Sequence, residues 1–260
     1  MLETKDLTIR FGGHVAVDHV SCRFAPGTLT AIVGPNGAGK TTYFNLVSGQ
    51  LPASEGTVSL DGEDLTALPA PLRTRKGLGR AFQLTQLFPN LTVQENVRLA
   101  VQAREQGRGN AGLDLLRVWL DRKAWIDEAR SLLTSVRLDE KRDAHAAALP
   151  HGDQRKLEVA LLMALDPKVY MFDEPTAGMS VDEVPVVLDL IRALKSRRDI
   201  VILLVEHKMD VVRELADRIV VLHNGQLVAD GEPTAVIASP VVQQAYLGLG
   251  SDTGHEEAAR

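Results

Sequence analysis

The segment Gly34-Pro35-Asn36-Gly37-Ala38-Gly39-Lys40-Thr41 decides the fold of this chain. It matches the pattern G-x-x-x-x-G-K-[ST], follows a β-prone run at Leu29–Val33, and precedes apolar residues at helical spacing, namely Phe44, Leu46 and Val47. Glycines let backbone N–H groups converge on phosphate oxygens, and a helix N-terminus favours an anion. The segment therefore predicts a phosphate-binding loop between a strand and a helix.

Two side chains of this loop add to the backbone chemistry. We expect Lys40 to neutralise the β- and γ-phosphates of a nucleotide and the Thr41 hydroxyl to bind Mg²⁺. A glycine-rich turn with a chance Lys-Thr pair is the alternative. The strand and helix patterns on either side of the loop favour the nucleotide site.

A pair of acids follows a second β-prone run. Asp173 and Glu174 come directly after Tyr170-Met171-Phe172. Ligands of open parallel sheets bind at the carboxyl ends of the strands. We expect Asp173 to hold the Mg²⁺ shell and Glu174 to orient or deprotonate the attacking water. An ordinary pair of surface acids is the alternative, and the phosphate-binding loop upstream argues against it.

The composition excludes several other classes of protein. The chain has 260 residues, of which 45% are hydrophobic and 24% charged, and its net charge is −5. These values are typical of a globular α/β chain with a buried core. The longest apolar run, residues 159–165, is far shorter than the roughly 18–20 residues that span a bilayer. We also expect no secretory signal and, with Cys22 alone, no intrachain disulfide. The acidic balance and 4% aromatic content argue against nucleic acid binding.

Strand and helix patterns alternate in both outer parts of the chain. Residues 184–194 have apolar residues at helical spacing and predict a helix. A helix tolerates Pro185 only if this residue lies in the first turn. The β-prone runs are of strand length: residues 57–60, 168–172, 200–205, 218–222 and 226–229. Hairpin turn pairs lie next to some of these runs, Asp61-Gly62 after the first and Asn224-Gly225 between the last two.

The middle of the chain has a different pattern. Residues from about 92 to 148 have helical spacing, for example at Ile126, Ala129 and Leu133, and few strand patterns. Residues 102–112 are polar and contain glycine, so we expect a loop there. The sequence therefore predicts α/β segments on both sides of a helical insert.

Further motifs show a family resemblance. The chain resembles the ATP-binding subunit of ABC transporters from Leu2 to about Gly248. The resemblance implies that Phe11 stacks on adenine, that Gln83 reaches Mg²⁺ and the water and senses the membrane partner, and that His207 is the switch histidine near the γ-phosphate. Residues 177–182 are similar to the D-loop, which crosses between subunits. A strand aromatic and a structural histidine are the alternatives for Phe11 and His207.

The signature motif departs from the family's usual Leu-Ser-Gly-Gly-Gln. This chain has Leu149-Pro150-His151-Gly152-Asp153, so Pro150 replaces the serine and one hydroxyl donor to the γ-phosphate is missing. Gly152 remains, and residues 153–165 are predicted to form a helix whose N-terminus can face an anion. The resemblance implies that Gly152 contacts the nucleotide of the partner subunit through backbone donors.

The resemblance also implies the architecture. We expect an α/β fold, a P-loop NTPase (RecA-like) core with an N-terminal antiparallel β subdomain and an inserted helical subdomain. The predicted divisions are residues 1–83 for the first part of the core, 84–152 for the Q-loop and helical subdomain, 153–250 for the second part of the core, and 251–260 for a flexible tail.

The implied activity is ATP hydrolysis coupled to transport. The implied cofactors are ATP and Mg²⁺. The implied site residues are Glu174, His207 and Gln83 for catalysis; Phe11, Gly34, Asn36, Gly37, Ala38, Gly39, Lys40, Thr41, Thr42 and Gly152 for the nucleotide; and Thr41, Gln83 and Asp173 for Mg²⁺.

The partners and cargo follow from the same resemblance. Leu-Pro-His-Gly-Asp-Gln, Gly-Arg-Ala-Phe-Gln and Glu-Pro-Thr-Ala-Gly-Met are similar to the importer branch for branched-chain amino acids and urea or amides. The implied function is uptake of a small polar solute of this kind. The implied partners are a second ATP-binding subunit, head to tail in a homo- or heterodimer, permease chains and, indirectly, a solute-binding protein, with no nucleic acid. The implied location is the cytoplasmic face of the cell membrane.

Other functions stay open at this point. One is an ABC ATPase for urea or amides, or for lipid or lipopolysaccharide, and another is a soluble ABC ATPase acting on DNA or ribosomes. A GTP-binding switch is suggested by His207-Lys208-Met209-Asp210, which is similar to Asn-Lys-x-Asp but lacks its leading Asn. Residues 113–125, with Trp119 and Trp125, either contact a permease or lipid headgroups or pack within the helical insert, and packing is favoured.

Overall fold

The structure, a computed structural model, describes residues 1–81, 87–108 and 115–247. In chain order its strands are β1 (Leu2–Phe11), β2 (His14–Phe24), β3 (Leu29–Val33), β4 (Glu55–Leu60), β5 (Glu63–Asp64), β6 (Leu78–Ala81), β7 (Val169–Asp173), β8 (Val201–Val205), β9 (Arg218–His223) and β10 (Gln226–Gly231). Its helices are α1 (Lys40–Ser48), α2 (Ala70–Arg75), α3 (Val93–Arg108), α4 (Leu115–Ser135), α5 (His151–Leu165), α6 (Val184–Lys195), α7 (Met209–Leu215), α8 (Pro233–Ile237) and α9 (Pro240–Leu247). Short 3₁₀ turns lie at Asp139–Lys141 and Ala146–Ala148. Backbone contacts divide the chain into a first unit, Met1–Leu68 with Leu203–Arg260, and a second unit, Pro69–Ile202.

An antiparallel sheet in the order β2-β1-β4-β5 forms one part of the first unit. In the hairpin of β1 and β2, the buried residues Leu7 and Val20 lie opposite each other. Because successive side chains of a strand point to opposite faces, such pairs give the sheet one apolar face. The turn between β4 and β5 contains Asp61 and Gly62, with φ of 52° and 83°. This confirms the first predicted turn pair.

Mainly parallel strands form the other part of the first unit. β10, β9, β3 and β8 are neighbours in this order, and the boundary between the units falls inside β8. β3 and β9 are parallel, with Ala31 opposite Ile219. Every residue of β3 and of β8 is buried, as expected for strands covered on both faces. The turn between β9 and β10 contains Asn224 and Gly225, with φ of 49° and 79°, which confirms the second predicted turn pair.

The second unit combines two parallel strands with several helices. β6 pairs with β7 in parallel, and every residue of β7 is buried. α3 packs against α4 and α5, and its core includes the buried side chains of Val97, Leu133 and Leu157. α6 has Pro185 in its first turn. The N–H groups of a first turn have no partner within the helix, so the missing N–H of proline removes no hydrogen bond there. The predicted helical insert and the predicted position of Pro185 are confirmed.

One expectation about the helical insert is wrong. The loop predicted from residue 102 is helical as far as Arg108, the last residue of α3. The guanidinium of Arg104 donates to both carboxylate oxygens of Glu128, at 2.7 and 2.8 Å, and to the Ala164 carbonyl at 3.1 Å. These tertiary contacts hold a polar segment in the helix against its weak apolar pattern.

Cys22 is the one cysteine of the chain and lies in β2. It is buried, and its N–H donates to the hydroxyl of Thr4 at 3.0 Å. Burial raises the pKa of the Cys22 thiol to about 11. Since the thiolate is the reactive form, burial and the raised pKa lower the reactivity of this cysteine near neutral pH.

Candidate functional site

The predicted phosphate-binding loop joins β3 to α1. Gly34 and Gly39 have φ of 153° and 96°, a region that favours glycine. A Cβ atom on Gly34 would lie 2.1 Å from the carbonyl oxygen of Leu222, and one on Gly39 would lie 2.5 Å from that of Ala16. Both positions therefore require glycine, because any side chain would collide with backbone.

Lys40 begins α1 and lies over this loop. The residue is 9% exposed, and its Nζ donates to the carbonyl oxygens of Gly34 at 2.7 Å and Pro35 at 2.9 Å. The N-cap residue of α1 is Gly39, which has no side chain to occupy the first-turn N–H groups. A cation and a helix N-terminus in one loop are the features that bind phosphate.

The other predicted loop residues differ in exposure. Ala38 is 2% exposed, and its carbonyl accepts the N–H of Gly225 at 3.1 Å, which ties the loop to the turn between β9 and β10. Asn36, Gly37 and Thr41 are exposed, and Thr42 is half-buried. The Thr41 hydroxyl is thus on an accessible residue, as binding to a metal with a nucleotide requires.

Phe11, the predicted adenine-stacking residue, ends β1. The residue is 50% exposed, so part of its surface is accessible from solvent. An accessible aromatic face is what stacking on a flat base needs. The stacking role stays a prediction.

Asp173 is the last residue of β7 and is deeply buried. Its Oδ2 accepts a hydrogen bond of 2.6 Å from Nη2 of Arg80 on β6, and the two side chains are 4% and 5% exposed. Burial lowers the pKa of Arg80, and the contact with Asp173 opposes that effect. The sequence indicated no role for Arg80, although its motif Gly-Arg-Ala-Phe-Gln was noted as a mark of the importer branch.

Glu174 follows β7 in an unusual backbone conformation. Its φ is 50°, in the left-handed region that few residues other than glycine adopt. Its carbonyl accepts the N–H of Ala177 at 3.1 Å. Residues held in this region concentrate at functional sites, where surrounding structure enforces the conformation.

His207 follows β8 directly, as predicted for the switch histidine. Its side chain is 53% exposed, whereas that of Glu206 is 1% exposed. The Glu206 carboxylate accepts the His207 N–H at 2.9 Å and lies 3.5 Å from His207 Nδ1. The Glu206 side chain therefore holds the backbone at His207 and lies near its ring, a contact that the sequence motif Val-Glu-His did not reveal.

The signature motif begins α5, with Pro150 as its N-cap residue. The helix starts at His151, two residues earlier than predicted. A Cβ atom on Gly152 would lie 2.2–2.4 Å from the carboxylate of Glu183, so any side chain at this position would displace that carboxylate. The ring of His151 approaches Gly178 of the predicted D-loop, where a Cβ atom would meet it at 3.0 Å.

Charged side chains connect the signature motif to the D-loop. Lys156 donates to Asp153 at 2.9 Å and to Glu183 at 3.3 Å, and Lys141 also pairs with Asp153. Glu183 accepts hydrogen bonds from the N–H and hydroxyl of Ser180 at 3.2 and 2.9 Å. The sequence did not predict this network, because its members are separated by up to tens of positions.

The predicted site residues are distributed over both units. Phe11, the phosphate-binding loop and His207 belong to the first unit, and Asp173, Glu174 and Gly152 belong to the second. Gln83 and the predicted tail at 251–260 lie outside the described residues, as does the side chain of Trp119. Trp125 is 7% exposed in α4, which supports packing for its part of residues 113–125.

The donor types predicted for Mg²⁺ fit the described residues. No group of three or more His, Cys, Asp or Glu side chains that could hold a metal occurs in residues 1–81, 87–108 and 115–247. Mg²⁺ in nucleotide sites is usually bound by one or two protein oxygens with phosphate oxygens and water. The exposed Thr41 and the acid Asp173 match such a sparse protein contribution.

Comparison with known proteins identifies the family. The family model described as ABC transporter matches residues 17–177. The chain is 38% identical over 250 residues to the high-affinity branched-chain amino acid transport ATP-binding protein BraF of Pseudomonas aeruginosa, covering 95% of this chain and 98% of that protein. The chain belongs to the ABC transporter family. It is 37% identical over 251 residues to the corresponding protein LivG of Escherichia coli, covering 95% of this chain and 98% of LivG.

Solved structures agree with this family. A crystal structure of the ADP conformation of an ATP-binding cassette of an ABC transporter has a TM-score of 0.77 and 28% identity, covering 95% of this chain and 98% of that one. The predicted P-loop NTPase fold is therefore confirmed. The chain is an ATP-binding, ATP-hydrolysing subunit of an ABC transporter, and membership of this family implies permease partners.

The described part of this ABC transporter subunit contains no membrane span. No helix in residues 1–81, 87–108 and 115–247 has both the length and the hydrophobicity that crossing a bilayer requires.

Proposed function

We propose that this ABC ATPase powers the uptake of branched-chain amino acids through separate permease chains. Two features support this cargo. BraF and LivG, which match the chain almost end to end, are named for branched-chain amino acid transport. The motifs around Arg80 and Gly152 are also similar to that importer branch. Urea or amide transport and lipid or lipopolysaccharide transport are the alternatives.

The geometry of the phosphate-binding loop is the observation that carries the ATPase function. Gly34 and Gly39 occupy loop positions where a side chain would collide with backbone, and Lys40 Nζ donates to two carbonyl oxygens of the same loop. Lys40 and the first-turn N–H groups of α1 bind the β- and γ-phosphates. Phe11 stacks on adenine, and the exposed Asn36 and Gly37, together with the half-buried Thr42, complete the loop's contacts.

The acids and the histidine have different roles in ATP hydrolysis. Bound Mg²⁺ supplies charge stabilisation for the transferred phosphoryl group. Thr41, Asp173 and Gln83 are the residues that would hold Mg²⁺ there. Glu174 orients the attacking water and takes its proton, and His207 donates a hydrogen bond to the γ-phosphate.

Two such subunits bind ATP between them, head to tail. Gly152 at the start of α5 contacts the nucleotide of the partner subunit through backbone N–H groups. Pro150 supplies no hydroxyl, so these backbone donors replace the usual serine. Hydrolysis lets the subunits part, and the segment after Gln83 passes the motion to the permeases.

Transport reconstitution tests this function. The permeases are captured with the full-length chain from detergent-solubilised membranes and reconstituted with it and the solute-binding protein into proteoliposomes. We expect ATP-dependent uptake of labelled leucine, and none with the Glu174→Gln variant as control. Uptake of labelled urea or extraction of lipopolysaccharide, without leucine uptake, would assign one of the alternatives instead.

A further inference from the structure

Arg80 and Asp173 form a buried ion pair in the second unit. The N–O distance is 2.6 Å, and the side chains are 5% and 4% exposed. Few ion pairs among the described residues combine so short a contact with such low exposure of both partners. Surface pairs such as Arg192 with Asp189, at 44% and 61% exposure, contribute little to stability or to site geometry.

The register of the strands explains how the two side chains meet. β6 and β7 are parallel, and Arg80 lies opposite Met171. Asp173 is two positions beyond Met171, so it points to the same face of the sheet. The long side chain of Arg80 therefore reaches diagonally along that face to the carboxyl end of β7. A shift of one residue in the pairing would put the two side chains on opposite faces.

The contact constrains one oxygen of the carboxylate. Oδ2 of Asp173 accepts the hydrogen bond from Arg80 Nη2, and the guanidinium plane fixes its direction. Mg²⁺ requires nearly ideal octahedral geometry, so a small rotation of a participating carboxylate weakens its binding. Groups that hydrogen-bond to a metal's carboxylates commonly change metal affinity by roughly 10–100-fold when they are removed.

We propose that Arg80 is a positioning residue that aims the Asp173 carboxylate at the Mg²⁺ shell of the bound nucleotide. The inference rests on the proposed function, in which Asp173 takes part in that shell. Arg80 itself touches neither nucleotide nor metal in this role.

Nucleotide binding with and without Mg²⁺ tests the role without using turnover. The purified full-length chain is titrated with a fluorescent ATP analogue in EDTA and at increasing Mg²⁺ concentration. For Arg80→Met we expect affinity in EDTA within about twofold of wild type. The Mg²⁺ midpoint is the Mg²⁺ concentration that gives half of the Mg²⁺-dependent gain in affinity for the ATP analogue. We expect this midpoint to rise roughly tenfold or more. Arg80→Lys keeps the charge without the planar fork and should give an intermediate value.

Two controls separate positioning from a structural role. Arg104→Met also removes a partly buried arginine–carboxylate pair of the second unit, and it should leave the Mg²⁺ midpoint unchanged. In an Asp173→Asn background, Arg80→Met should add little further effect, because both changes act on the same group. A midpoint that is unchanged in Arg80→Met, or in Arg80→Lys if the Met variant does not fold, would overturn the inference.

The same titration distinguishes this inference from the proposed function. A wild-type chain that binds no ATP, or gains no affinity from Mg²⁺, would contradict the proposed function and with it the role of Arg80. A wild-type chain that binds Mg²⁺ with ATP, beside Arg80 variants with a normal Mg²⁺ midpoint, would contradict the role of Arg80 alone.

Discussion

Glu174 adopts a backbone conformation that a less constrained residue would avoid. A non-glycine residue with a φ of 50° costs on the order of 1–3 kcal/mol, which neighbouring contacts must offset. The buried residues of β7 before it and the hydrogen bond from Ala177 after it hold the chain in place. The constrained backbone therefore sets the direction in which the Glu174 side chain points from the end of β7. A fixed direction is required for orienting one water molecule.

Glu174→Gln should separate binding from chemistry. The amide has the same shape, but it cannot take a proton from water, so we expect nucleotide affinity within about twofold and hydrolysis reduced by at least about 100-fold. Equilibrium titration and phosphate release measure the two quantities. Asp189→Asn, an exposed acid of α6, is the matched control. Wild-type turnover in the Glu174 variant would show that another group activates the water.

The sequence predicts site residues where a motif fixes the backbone, and it misses those defined by pairing. Lys40, Asp173 and His207 lie at or after the ends of strands that are recognisable from composition, so their places in the chain could be predicted. Arg80 could not be assigned a partner, because its partner depends on the register between β6 and β7. Glu206 precedes the histidine, but its burial at 1% exposure is a tertiary property that the sequence does not reveal.

At the scale of elements, the start of α5 is tied to the start of α6 by charge. Burial raises the pKa of Asp153, but hydrogen bonds from Lys141 and Lys156 outweigh it and the net pKa is lowered. Hydrogen bonds from the side chain and backbone of Ser180 lower the pKa of Glu183. A carboxylate with a lowered pKa stabilises the folded state while it is ionised.

Stability should therefore depend on pH at the acid side. The ordinary values for the two groups are 3.8 and 4.5, so their contribution is complete above about pH 5 and is lost as pH falls through the lower folded values. Asp153→Asn should flatten this part of the curve and lower stability near neutral pH. Urea unfolding at several pH values measures both effects, and Asp189→Asn is the exposed control. Parallel curves for wild type and Asp153→Asn would contradict the linkage.

Elements with strong local patterns agree with the sequence, and those held by tertiary contacts do not. The turn pairs Asp61-Gly62 and Asn224-Gly225 require positive φ, which the residue types supply on their own. The end of α3 is different, since residues 102–108 depend on Arg104 reaching Glu128 on α4. The predicted domain divisions at 83 and 152 stay a prediction.

At the scale of the whole molecule, the predicted active state contains two ATP-binding subunits, which are either two copies of this chain or this chain and a different one. Each copy of this chain has both a phosphate-binding loop and a signature helix. We expect the loop of one subunit to face the signature helix of the other. If ATP joins them, blocking hydrolysis should trap the dimer, because cleavage is what releases it.

Light scattering after size exclusion measures this assembly. The Glu174→Gln variant with ATP and Mg²⁺ should have twice the 28.2 kDa mass of one chain, and the nucleotide-free protein should have the mass of a single chain. Lys40→Ala, which removes the cation of the phosphate-binding loop, should stay monomeric at the same ATP concentration. A monomeric Glu174→Gln variant saturated with ATP would argue against a homodimer and direct the search to a second, different ATP-binding subunit.

The buried thiol of Cys22 makes this chain a ready background for spectroscopic labelling. Its inaccessibility and its pKa of about 11 mean that maleimide reagents at neutral pH should pass over it in the native protein. One cysteine introduced on the surface of each unit then accepts a donor and an acceptor dye without removing the native residue. Energy transfer between the dyes can then be recorded during nucleotide binding, hydrolysis and release.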